Sequence, residues 1–223
     1  MTYPDIDLRS QVTEVVHSQG NRPLCVPFAM SLVHEAERTR EGEDIASLAP
    51  EALWAHAHRQ GRTSEHGTST AAIADALKSD GQPTLADWPF NPGLAELTEP
   101  APSRAGLPPW RQGASLHFRL ARDGVEAELE AVLARGQLAL VVIEVTGEFY
   151  WPPASGVVAV NSASKPLGRH AVACVGAATV AGQRYFLVQN SWGEGWAAGG
   201  YGWLDHDYLS AFGQEAVTLA RVV

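Results

Sequence analysis

Cysteine is scarce in this sequence: two residues among 223, Cys25 and Cys174. Two thiols cannot build the disulfide framework of a small secreted domain, and they fit a reducing compartment. Positive charge is also in short supply, with 16 lysines and arginines against 25 acidic residues and a formal net charge of −9. Phosphate binding needs a basic surface, so this balance argues against nucleic acid as the main partner. No apolar run is long enough to span a bilayer; LALVVIEV has the length of a strand. The opening MTYPDIDLRSQVTEVVHSQG contains no basic region followed by an apolar core, so it does not read as a secretory leader. The expectation is a soluble, cytoplasmic protein without a nucleic-acid or membrane partner.

Metal-ligand patterns are missing too. His56 and His58 stand two apart in a helical stretch, which points them to different sides, so no metal and no cofactor is expected. His34 and His206 read as solvated surface, and Cys174, inside an apolar run, as a core thiol.

What is present is an ordinary globular composition, 45% hydrophobic and 18% charged, in a chain long enough for a sizeable core. The first half reads as helical. Phe28, Ala29, Leu32, Val33 and Ala36 recur at helical spacing after Cys25. SLAPEALWAHAHRQG predicts a second helix capped at Ser47 and stopped at Gly61, and STAAIADALKSDG a third ending at Gly81. Prolines then cluster between residues 89 and 113, predicting an irregular connection. DGVEAELEAVLARG is one more helix, with Val125, Leu129, Val132 and Leu133 on one face. Beyond it, LALVVIEV, HAVACVGAATV, QRYFLVQNSW and YGWLDHDYL read as strands separated by glycine-containing turns. Helices first and strands second predict an α+β protein of two lobes, residues 1–112 mainly helical and 113–223 mainly β, with a cleft between them.

Cys25 sits where a loop with Gly20 and Pro23 gives way to a helix. The unpaired N–H groups of a first helical turn favour thiolate, the nucleophilic form, although a small buried hydrophobe is the commoner fate of a free cysteine. His170 opens one apolar run, and Asn190 and Trp192 follow another. An imidazole beside a thiol can act as base and then acid, and a side-chain amide can fix its tautomer.

These segments resemble the papain-like cysteine peptidases. DIDLRSQVTEVVHSQG is similar to that family's mature amino-terminal segment, with Gln19 six residues before Cys25. CVPFAM stands at the family's nucleophile, RHAVACVG resembles its histidine strand, and YFLVQNSWGEGWAAGGYGWL its Asn-Ser-Trp-Gly segment. The resemblance implies a helical lobe carrying Cys25 and a β-barrel-like lobe carrying His170 and Asn190. It implies that Cys25 is the thiolate nucleophile, His170 its ion-pair partner, and Asn190 the holder of the imidazole ring. Trp192 would shelter that bond, and Gln19 with the Cys25 backbone N–H would form an oxyanion hole. SEHGTSTAAI resembles the segment that pairs with an extended substrate, which makes Gly67 and Thr68 substrate contacts; Ala171 is a further pocket candidate.

The sequence departs from its relatives around the nucleophile. Arg22 replaces a cysteine that forms a disulfide in secreted members, and Val26 replaces an aromatic residue. Pro23 and Leu24 replace a small, flexible pair on the cleft wall, which predicts a narrower pocket there. Arg169 stands before the histidine where many relatives carry Asp or Asn, and it is expected to weaken the ion pair or to recruit an acidic substrate group. The resemblance implies a peptide or protein substrate and restricted specificity. With a mature-like start, a regulatory partner or fused domain is expected in place of a propeptide. A catalytically silent binding module, or acyl transfer and isopeptide cleavage on the same fold, are the alternatives.

Overall fold

The structure is a computed structural model that describes residues 4–43, 45–95, 97–118 and 124–222, with the side chains of 114–118 outside the description. Short strand β1, Ile6–Asp7, is followed by helix α1, Cys25–Arg40, and helix α2, Pro50–Arg59. A small hairpin, β2 (Thr63–Ser64) with β3 (Gly67–Thr68), leads into α3, Thr70–Ser79. The proline-rich stretch that follows is irregular apart from a single turn of 3-10 helix at Ser103–Ala105. Then come β4 (Gly113–Phe118), α4 (Val125–Ala134), β5 (Ala139–Val145) and the one-turn α5 (Gly147–Tyr150). The chain ends with β6 (Val157–Val158), β7 (Gly168–Val180), β8 (Gln183–Gln189), β9 (Tyr201–Asp205), α6 (His206–Phe212) and β10 (Gly213–Val222).

The strands form one sheet in the order β4-β10-β5-β7-β8-β9-β6, with β1 also paired to β7. All these pairings are antiparallel except that of β6 with β9. Among the described residues β4 and β6 remain separate edges, so the expected barrel-like lobe is an open, curled sheet rather than a closed barrel.

Alternation along the central strands explains why they read as continuous apolar runs. Leu140, Ala171, Ala173, Val175, Val217 and Leu219 face a core shared with Met30, Val33, Ile73 and Leu77 of α1 and α3. Val141, Ile143, Val172, Cys174, Phe186 and Val188 face a second core with Leu129, Leu133, Tyr208 and Leu209 of α4 and α6. A strand covered on both faces needs apolar residues at every position. Gly176 lets β1 approach closely, because a Cβ there would lie 2.5 Å from the Ile6 carbonyl oxygen.

Three expectations are corrected. Ser47 does not cap α2: Ala49 is its N-cap and Pro50 its first residue, while the Ser47 hydroxyl bonds Thr13 (3.0 Å) and His17 (3.2 Å). Proline at the first helical position has no N–H to satisfy, and the Ala52 N–H donates to the Ala49 carbonyl at 3.3 Å instead of to a side chain. The second half of YGWLDHDYL is helix α6, begun by Asp205, whose carboxylate accepts the Tyr208 N–H at 2.6 Å. His34 is fully buried rather than solvated, because α1 is covered on nearly every side from Val26 to Glu37. Its Nδ1 lies 3.0 Å from Gln82 Oε1, and Gln82 Nε2 donates to Ser31 Oγ and to the Ala49 carbonyl.

Candidate active site

Cys25 is the first residue of α1, and no side chain caps that helix. The N–H groups of its first turn are therefore directed at the space around the half-buried thiol. Burial pushes the thiol pKa up, opposed by hydrogen bonding from the backbone of Ala171, Val26 and Cys25 itself. The Ala171 contribution sets Cys25 against the strand residue next to His170.

His170 lies near the start of β7 and is only 6% exposed. Its Nε2 stands 2.7 Å from Asn190 Oδ1, and that same oxygen accepts the Ser191 N–H at 2.8 Å. The second bond identifies the amide atom as the oxygen, so Nε2 carries the proton and Nδ1 of the neutral ring does not. Burial lowers the His170 pKa to about 4, with the Asn190 bond acting in the opposite direction. Trp192 covers the ring at 4.6 Å between centroids, and Phe149 approaches it at 5.8 Å. Asn190 is fixed in turn by its own N–H, which donates to the Gly200 carbonyl at 3.0 Å.

The loop carrying Gln19 is stitched to the same segment. Gln19 N–H donates to the Ser191 carbonyl at 2.8 Å, and Gly193 N–H to the His17 carbonyl at 3.2 Å. The Gln19 side chain accepts the Ser191 hydroxyl at 2.6 Å and donates through Nε2 to the Arg22 carbonyl, also at 2.6 Å. One amide hydrogen is thereby occupied and the other is left for a further acceptor.

Cys25, Gly67, Thr68, Arg169, His170 and Ala171 line one open cleft of about 270 Å³. Gly67 holds φ +118°, and a Cβ there would meet the Pro23 carbonyl oxygen at 3.4 Å. Thr68 turns its hydroxyl to the Arg62 carbonyl at 2.8 Å. Arg169 is exposed at the rim. Leu24 does not belong to the cleft wall: its side chain is fully buried with Phe28 and Trp54 and packs against Phe90. The backbone of Leu24, at φ −105° and ψ 22°, sends its side chain toward Trp54 of α2.

Sequence reasoning missed Val142, Thr70 and Glu215, which line the same cleft. The sheet register sets Ala171 opposite Val142 and Val142 opposite Glu215, a row across three strands. Thr70 Oγ1 donates to Glu215 Oε1 at 2.8 Å, joining that row to the start of α3. No local motif marks these positions, because only the pairing of β7, β5 and β10 brings them to the thiol. Groups of three or more His, Cys, Asp or Glu side chains that could hold a metal do not occur among the described residues.

Arg22, in the place of the lost cysteine, is also a structural element. It is 6% exposed and forms a two-pronged pair with the fully buried Glu51, Nη1 to Oε2 at 2.5 Å and Nη2 to Oε1 at 3.0 Å. Nη2 also donates to the Leu97 carbonyl, and Glu51 Oε1 accepts from Thr98 Oγ1 and the Glu99 N–H. The pair thus ties the nucleophile loop, α2 and the proline-rich segment together.

A thiol at a helix start, an imidazole and an amide holding it, set in a cleft between helices and a sheet, define a class of thiol-dependent hydrolases. The family model described as papain family cysteine protease matches residues 4–218, and the chain belongs to that family. A cysteine protease of Blomia tropicalis is 45% identical over 53 residues, 24% of this chain and 16% of that protein. A cathepsin L-like proteinase of Fasciola hepatica is 27% identical over 215 residues, 89% of this chain and 59% of that protein. This chain therefore spans less than two thirds of the length of either relative. Among solved structures, xylellain, a cysteine protease from Xylella fastidiosa, superposes with a TM-score of 0.78 at 20% identity, covering 100% of this chain and 88% of that one. At that identity the likeness speaks for the fold alone.

Proposed function

We propose that this protein is a cysteine peptidase that hydrolyses peptide bonds through Cys25 and a covalent thioester. The observation that carries the reading is the His170–Asn190 bond, held under Trp192 in the cleft that Cys25 opens into. Burial acts against an isolated thiolate at Cys25 and against an isolated imidazolium at His170. Moving the proton from sulfur to Nδ1 creates both charges side by side, so each compensates the other. The N–H groups of the first turn of α1 then face the thiolate, and Asn190 Oδ1 accepts Nε2–H of the imidazolium.

The thiolate attacks the substrate carbonyl carbon, and the C=O electron pair moves onto oxygen. The Cys25 N–H and the remaining Gln19 amide hydrogen receive that oxyanion, donors worth roughly 3–4 kcal/mol each in such a position. Imidazolium gives its Nδ1 proton to the leaving nitrogen as the C–N bond breaks, leaving a thioester. Neutral His170 next takes a proton from water as its oxygen adds to the thioester carbonyl carbon; collapse breaks the C–S bond, releases the acyl half as a carboxylic acid, and the His170 proton returns to sulfur. Gly67 and Thr68, on one cleft wall, support pairing with an extended substrate backbone. Arg169 and Glu215, of opposite charge and both on the cleft, support a restricted substrate range.

The free state of Cys25 and Cys174, with the Arg22–Glu51 pair in place of a bridge, supports a cytoplasmic location. The test is Cys25→Ala beside Cys174→Ala. The first is expected to abolish peptide cleavage and labelling by a thiol-directed epoxide; the second retains both. Undiminished cleavage by Cys25→Ala refutes the reading, and added amine captured into product would show acyl transfer instead of hydrolysis.

A further inference from the structure

A large aromatic surface lies outside the lining of the Cys25 cleft. Trp151 is 77% exposed and Tyr150 39% exposed, immediately after Phe149, which is fully buried. These rings form a continuous series: Trp151 to Tyr150 at 5.6 Å, Tyr150 stacked on Trp192 at 5.2 Å and 19°, and Trp192 over His170 at 4.6 Å. An exposed aromatic patch that joins the imidazole of the site is more than a scattered surface residue.

We propose that Tyr150 and Trp151 form a shelf that binds an aromatic side chain of the substrate, in the first or second residue after the scissile bond. This deepens the peptidase reading and rests on it. His170 hands its proton to the leaving nitrogen, so the leaving peptide must emerge on the His170 side of the cleft. Trp192 covers that ring, and Tyr150 and Trp151 extend the covered surface outward.

The backbone that carries the shelf is pinned to the fold. Phe149 and Tyr150 both donate N–H to the Thr146 carbonyl, at 3.2 and 3.1 Å. Phe149 packs edge-on to Trp192 at 5.4 Å, and its carbonyl accepts Trp196 Nε1–H at 2.9 Å. Pro152 and Pro153 restrict the chain beyond it. A surface held this way loses little freedom on binding.

Ring faces could also hold an arginine or lysine. One feature of the surroundings favours an uncharged ring: Lys165 and Arg169, both exposed, lie on the segment leading into His170. Offset or edge-to-face packing against Tyr150 and Trp151 then selects an aromatic partner.

The test uses quenched fluorescent peptides identical up to the scissile bond, carrying Phe, Ala, Arg or Asp at the first or second position after it. In wild type, kcat/KM is expected to favour Phe over Ala by about tenfold at one of these positions, with the ratio falling to about twofold or less in Trp151→Ala and Tyr150→Ala. Trp151→Phe keeps most of the preference. Absence of a preference in wild type overturns the proposal, as does an unchanged ratio in both alanine variants or a stronger preference for Arg. Titration of the same peptides into the Cys25→Ala protein reads the ratio without turnover. A Phe preference there that Trp151→Ala removes, without cleavage by wild type, supports the shelf while refuting the peptidase reading. Sedimentation completes the set: self-association lost in Trp151→Ala with the peptide ratio intact would assign the patch to a second copy and overturn the shelf.

Discussion

Replacing Arg22 with methionine removes the guanidinium that bridges Glu51, the Leu97 carbonyl and the face of Phe90, over which it sits at 5.0 Å. Glu51 is 0% exposed, so its carboxylate keeps its burial and loses its only cation among the described contacts. Breaking a buried pair from one side costs about 3–5 kcal/mol. The bonds that Glu51 Oε1 still receives from Thr98 and Glu99 place this case near the lower end, about 3 kcal/mol. For a chain of this size that is a fall in Tm of about 6–12 °C. By contrast, the Arg9–Asp7 pair is about half exposed on both sides, and its loss should cost about 1 kcal/mol or less.

Glu51→Leu alone strands the cation and should cost a similar amount, whereas Arg22→Met/Glu51→Leu removes both charges together. The double variant should therefore recover about 2 kcal/mol or more relative to the sum of the single losses. Urea unfolding of the four proteins at constant pH measures this coupling, and limited proteolysis between residues 91 and 99 reads the release of the proline-rich segment. Additivity within about 0.5 kcal/mol would refute the clamp. A Glu99–Asn91 region no more cleavable in Arg22→Met than in wild type would refute its link to that segment.

Asn190→Ala removes the acceptor of His170 Nε2–H and should lower kcat on the order of a hundredfold with a smaller effect on KM; a change confined to KM would argue against an orienting role. Cys174→Ala should cost stability through a small cavity yet leave epoxide labelling of Cys25 intact, as mass mapping of the labelled peptide will show. Stability should also depend on pH in a defined way. Burial holds His34 at a pKa of about 4, below the usual value, so the unfolded chain takes up one more proton as pH falls from about 6.5 to about 4, and this histidine's contribution to stability drops over that window by about 3 kcal/mol. Burial raises Glu35 to about 8, so the folded chain holds the extra proton between about 4.5 and 8, and stability drops as pH rises through that range. The two opposed slopes nearly cancel from about pH 4.5 to 6.5 and leave a net fall from about 6.5 to 8; Glu35→Gln should flatten that alkaline side, and a stability still rising from pH 6.5 to 8 would contradict the assignment.

Much of the site was readable before any coordinates. The spacing of Gln19 and Cys25, the helix after Cys25, and the strand-borne His170 and Asn190 are local features, each carried by a few adjacent residues. The helices and strands around them follow from periodicity, which is why α1, α3, α4, β5, β7 and β8 match their sequence signals. Failures fall where long-range pairing decides. His34 looked like a surface residue because no single helix shows that Gln82, 48 positions away, will meet it inside the core. Leu24 looked like a wall residue until the turn into α1 set its side chain against Phe28 and Trp54.

The sequence by itself determined the chemistry: a thiol at a helix start, an imidazole, and an amide to orient it, on segments with the right periodicities. Tertiary structure alone decided what surrounds them. It closed the sheet register that brings Glu215 and Val142 to the cleft, turned Arg22 into an ion-pair clamp in place of a bridge, and lined up Trp151, Tyr150 and Trp192 beside His170. Backbone periodicity is written in neighbouring residues, whereas burial, register and ring stacking are set only when segments far apart in the chain compete for the same space.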